Sequence, residues 1–184
     1  MLKLYKPTLL KLTRTSALSG LLVCALTACS GADAPQPAAD ETVEVMLKDV
    51  PADVKNVVMS MSPDFEMVEV LKKRREGRTY FDVEGELPNG NEIEFDILIT
   101  DDGPKIVEIQ RDIRWKTVPK AAKKIVRKAN ADKAKIVRVI ESKQAEADMI
   151  IYEIFVEGHP STPRFEVSVT DGGSPVLLDT PWKH

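Results

Sequence analysis

Phe165-Glu166-Val167-Ser168-Val169-Thr170-Asp171-Gly172-Gly173 is the stretch on which the fold reading turns, because the chain carries an earlier version of it, Phe95-Asp96-Ile97-Leu98-Ile99-Thr100-Asp101-Asp102-Gly103. Both copies place apolar side chains at every second position, as a strand with one buried face requires, and both run into a Thr-Asp turn closed by glycine. Upstream, Val50-Pro51 and Val118-Pro119 stand in the same order before the two copies. The chain therefore reads as one α+β unit used twice.

In the first unit Pro51 suits the start of a helix, and Val54, Val57, Val58 and Met61 follow at helical spacing before Pro63 stops it. Strands are expected over 65–71, 79–85, 92–100 and 105–110, with a charged turn at 72–77. Pro88-Asn89-Gly90 is a hairpin signal of the type I′ kind. The second unit repeats the order. Pro119 opens a helix with Ala121, Ala122, Ile125, Val126 and Ala129 on one stripe and Lys120, Lys123, Lys124, Arg127 and Lys128 on the other. Strands are expected at 135–140, 149–157, 164–170 and 175–178. The fold class is thus α+β, two tandem modules, each a helix packed on a four-stranded antiparallel sheet.

What precedes the modules is an address and a tether. Residues 1–28 hold four basic residues and no acid, then an apolar run from Ala17 that is too short for a bilayer, which takes roughly 20 residues, but suits a signal peptide. The run ends in Leu26-Thr27-Ala28-Cys29. Removing it lowers Lys+Arg from 26 to 22 and leaves Asp+Glu at 29, a net charge of −7. That sign speaks against nucleic acid as a partner. Residues 30–40, with Pro35, Pro37 and four alanines, have almost nothing to bury and read as a spacer. The division expected is 1–28 signal peptide, 29–46 lipid anchor and flexible tether, 47–114 module one and 115–184 module two.

Leu26-Thr27-Ala28-Cys29 resembles a bacterial lipobox, which implies cleavage before Cys29, acylation of its thiol and attachment to the cell envelope. Ser30 in place of Asp leans toward the outer membrane. With Cys29 acylated, the mature chain has no thiol for redox or metal chemistry. The order of helix, alternating strands, Thr-Asp-x-Gly hairpin and short last strand resembles the PepSY family, and the tandem resembles the PepSY-like group that includes the β-lactamase inhibitory protein. The resemblance implies an envelope binding or inhibitor module without cofactor. The cysteines of that inhibitor have no counterpart here.

An acidic set is the main candidate site. With Phe81, Val83, Phe95 and Ile97 toward the helix, the other face of the first sheet shows Asp82, Glu84, Glu86, Glu92, Glu94 and Asp96; Tyr80, Glu153 and Phe155 hold related positions. Like charges paired across strands destabilise a sheet, so a basic protein partner is one reading and a solvated, screened face the other. For Phe155 the alternatives are an interface anchor or burial under the neighbouring module. The basic helix stripe is read as a solvated side. Catalysis is not expected: His159 and His184 have no nucleophile motif beside them. No cofactor is expected and no metal site, since the Asp-Gly turns lack calcium-loop spacing. The expected function is a non-catalytic envelope lipoprotein that binds protein through the outward sheet face with Tyr80, Asp82, Glu84, Glu94, Asp96, Glu153 and Phe155. The alternative is a small ligand held between the two modules.

Overall fold

The computed structural model describes residues 40–182; the signal peptide, Cys29 and residues 30–39 of the tether lie outside the described residues. The elements run β1 (Glu41–Glu44), α1 (Ala52–Met61), β2 (Glu66–Arg75), β3 (Arg78–Glu86), β4 (Glu92–Thr100), β5 (Gly103–Asp112), α2 (Lys120–Ala129), β6 (Ile136–Gln144), β7 (Met149–Val156), β8 (Phe165–Thr170) and β9 (Val176–Leu177). All nine strands join in one sheet in chain order, each antiparallel to the next.

This overturns the expectation of two separate helix-on-four-strand modules. The helix and four strands do recur, but β5 and β6 pair directly, Glu108 opposite Gln144 through Asp112 opposite Ile140, so no boundary interrupts the sheet. The physical reason is that each unit alone would leave a long strand edge with unpaired amide and carbonyl groups. Joining them satisfies those groups, and Arg111–Glu141 and Arg138–Asp112 bridge the seam. Residues 41–44, within the span read as tether, form β1, an additional strand at the edge of β2.

Each helix begins beside a proline, Pro51 or Pro119, whose extended ψ near 140° turns the chain into the first helical residue. The first ends where the Ser62 amide bonds the Val58 carbonyl, ahead of Pro63; the second ends at Asn130, whose side chain clamps both backbone groups of Ala134. Val54 and Val58 of α1 pack on Val70, Phe81, Val83, Phe95 and Ile97, with the Phe65 and Phe95 rings edge-to-face at 5.2 Å. Ala122 and Val126 of α2 pack on Val139, Tyr152, Ile154 and Val167. Each fully buried valine contributes roughly 1.5–3 kcal/mol.

The registers place both cores on one face. Phe95 is opposite Ile109, Ile109 opposite Lys143, and Lys143 opposite Ile150, on the same side as Tyr152 and Ile154. Both helices therefore cover the same side of the sheet, and the second side is free of helices.

The tight turn also moved. At β2–β3 the charged run expected as a turn continues as strand to Arg75, and only Glu76 and Gly77 turn, with φ of 50° and 79°. Those two positive values are the type I′ signature. Asn89-Gly90 instead sits in a longer loop closed by the Leu87 amide on the Asn91 carbonyl, with positive φ at Gly90 alone of the two.

Candidate functional site

Alternation along the strands carries Tyr80, Asp82 and Glu84 of β3, Glu94, Asp96 and Leu98 of β4, Glu108 of β5, Ser142 and Gln144 of β6, and Glu153 and Phe155 of β7 to the helix-free side. All seven residues expected to bind a partner thus share one surface. They do not face open solvent: Tyr80 is 1% exposed, Asp82, Asp96 and Phe155 are 4% exposed, and Glu84, Glu94 and Glu153 are half-buried. The expectation of an outward, solvent-facing acidic surface is corrected accordingly.

Curvature explains this burial. The Trp182 amide donates to Glu166 on β8 at 2.7 Å, yet Trp182 also lines a cavity with Tyr80 of β3. On a flat sheet those strands would stand about 24 Å apart, five spacings of ~4.8 Å. The sheet curls toward its helix-free side, which becomes a trough. Side chains from distant strands cover one another there, as the influence of Arg138 on Glu84 and of Asp96 on Glu153 also reflects.

The trough has three zones. At one end Arg78, Tyr80, Leu98, Val107, Gln144 and Trp182 line a cavity of about 270 Å³ between the two repeats. The guanidinium groups of Arg75 and Arg78 lie 4.6 and 5.5 Å from the centre of the Tyr80 ring, within cation–π range. The middle is acidic. Asp82 stands opposite Asp96, Asp96 opposite Glu108, and Glu108 opposite Gln144, whose amide donates to Glu108 at 2.6 Å and to Ser142 at 3.3 Å. Lys73 reaches across from β2 to pair with Asp82. At the far end Arg138 stacks 5.4 Å from the Phe155 ring centre and pairs with Asp112.

Crowding and burial raise three carboxyls of the trough, Glu94, Glu153 and Glu84. Glu94 is pushed up to about 8, by burial first and then by Asp96. Glu153 is pushed up to about 7 by burial and by Glu108 and Glu166. Burial, Glu69 and Glu92 also raise Glu84. The Ser142 hydroxyl oxygen accepts from the same Gln144 amide that donates to Glu108.

Sequence reasoning passed over Lys73, Glu108, Ser142, Gln144 and Trp182. Lys73 sat in the run expected as a turn, and Ser142 and Gln144 lay beyond the expected end of their strand at Ile140. The usable signal was there: Ile140, Ser142 and Gln144 keep the two-residue period of β6. Comparison of the chain with protein families, with curated proteins and with solved structures finds no match in any of the three.

Proposed function

We propose that this chain is a non-catalytic lipoprotein of the bacterial cell envelope, acylated at Cys29 and most at home on the outer membrane, that holds a small ligand in the trough between its two repeats. The observation that carries the reading is the cavity of about 270 Å³ lined from both repeats, apolar at Leu98, Val107 and Trp182 and polar at Arg78 and Gln144. Concave, mostly apolar sites with a few convergent polar groups are where small molecules bind. The lipobox resemblance of Leu26-Thr27-Ala28-Cys29 supports the anchor.

The test is to expose the full chain to the small-molecule fraction of an envelope extract and to identify by mass spectrometry what survives dialysis. A compound retained by the wild type and lost in Leu98→Trp, which fills the cavity, supports the reading. Equal retention by both, or retention by neither, sinks it.

A second reading, contact with another protein, is favoured by a different part of the chain from the acidic trough. Among the described residues, six of the nine exposed large apolar side chains fall in the segment from Val43 to Val68: Val43, Met46, Leu47, Met59, Met61 and Val68. That segment includes the edge strand β1. Methionine-rich apolar surface is adaptable contact area.

A further inference from the structure

We propose that Asp82, Glu94 and Asp96 form a binding site for a single hard divalent cation, set in the acidic middle of the trough. The three residues come from adjacent strands and one face, Asp82 directly opposite Asp96 and Glu94 two residues before Asp96. One carboxylate oxygen from each lies within 4.8 Å of the others. Calcium binds oxygen at about 2.3–2.6 Å, so two oxygens on opposite sides of one ion stand roughly 4.6–5.2 Å apart. The three oxygens therefore lie within the span that one such ion bridges.

The second observation concerns Asp82 itself. It is 4% exposed, and its Oδ1 accepts no hydrogen bond among the described residues, while Oδ2 faces the Lys73 ammonium. A buried carboxylate oxygen without a donor costs on the order of 1–3 kcal/mol or more. An ordered water or an ion is among the partners that complete such atoms. Lys73 supplies one positive charge to three carboxyl groups, and Glu108 and Glu84 add further acid at the neighbouring register positions. A divalent ion adds positive charge where these three side chains meet. Glu94 is half-buried, which leaves the trough side of the ion for water. The site shares no ligand with the cavity, so it stands or falls apart from the small-molecule reading.

The experiment is titration of the full chain, stripped with chelator, with terbium as a luminescent calcium surrogate, followed by competition with calcium and with magnesium. Tyr80 lies two residues from Asp82 on the same face and serves as the antenna. Saturable one-to-one emission is expected, displaced by calcium with Kd on the order of 10⁻⁴–10⁻³ M. Glu94→Gln and Asp82→Asn should each weaken binding ten-fold or more, Asp64→Asn should leave it unchanged, and Lys73→Gln should tighten it several-fold by removing the competing ammonium. Tightening in Lys73→Gln is the readout that a purely structural cluster does not produce, and it stays informative if Asp82→Asn fails to fold. No saturable signal to about 10 mM, or binding unaltered in Glu94→Gln and not tightened in Lys73→Gln, overturns the proposal.

Discussion

Glu153 provides the sharpest test of the buried acidic trough. Its carboxyl is lifted from 4.5 to about 7 in the folded chain by burial and by Glu108 and Glu166, with Arg138 opposing. Between those values the folded protein binds a proton that the unfolded chain has released, so stability falls as pH rises. One pKa unit corresponds to about 1.4 kcal/mol, so the full displacement amounts to ~3 kcal/mol, and partial exposure of the side chain brings it nearer ~2 kcal/mol. The contribution is fully present below pH 4.5 and is lost as pH passes through 7. Glu94, raised to about 8, and Glu84 act with the same sign, so the wild type should lose more than Glu153 alone accounts for. Glu153→Gln keeps the shape and removes the titration. Its slope of unfolding free energy against pH should be shallower by ~2–3 kcal/mol between pH 5 and 9. Urea unfolding followed by tryptophan fluorescence, with chelator present, measures both proteins across that range. A wild type equally or more stable at pH 9 than at pH 5, or a variant with an unchanged slope, refutes the reasoning.

Other expectations follow from single contacts. A methyl group at Gly85 would meet the Glu66 carbonyl at 2.1 Å and the Phe65 ring at 2.5 Å, so Gly85→Ala should cost about 3 kcal/mol, read as a lower urea midpoint at unchanged slope. At the seam, Arg111→Ala removes an exposed pair with Glu141 and should cost ~0.5 kcal/mol. Arg138→Ala also uncovers Phe155 and removes a charge that lowers Glu84 and Glu153, so it should cost ~1–2 kcal/mol and steepen the alkaline loss in the same denaturation series. Cys29→Ser should move the protein from the membrane to the soluble fraction after cell fractionation, because stable anchoring takes more than one acyl chain.

The strands were legible because period two survives in the side chains: Ile93, Phe95, Ile97 and Ile99 mark their face with no knowledge of the fold. The helix starts were legible from Pro51 and Pro119. The junction of β5 with β6 was not, because backbone pairing at an edge has no side-chain signature, and Arg111 with Glu141 look like any two surface charges until paired. The acidic site was legible in part. Alternation tells which face Asp82, Glu94 and Asp96 share, but not whether that face lies flat in water or curls on itself. Curvature accumulates over many strands and depends on twist, which no single residue encodes. For that reason six acidic residues looked solvent-facing when two of them, Asp82 and Asp96, are 4% exposed.

The chain-order sheet has a consequence for biogenesis. Every strand pairs with its sequence neighbour, and six of the eight pairings join strands linked by a turn or short loop, which keeps the reach of each pairing short. A polypeptide folding from its N-terminal end can add strands to the growing edge as they emerge, with the crossings through α1 and α2 requiring a longer reach. The trough is built in that same order. Its cation cluster, on β3 and β4, exists before the second repeat has arrived, whereas the cavity needs Gln144 and Trp182 and is completed at the end. An ion already seated on the first strands would act as a template on which the rest of the sheet curls.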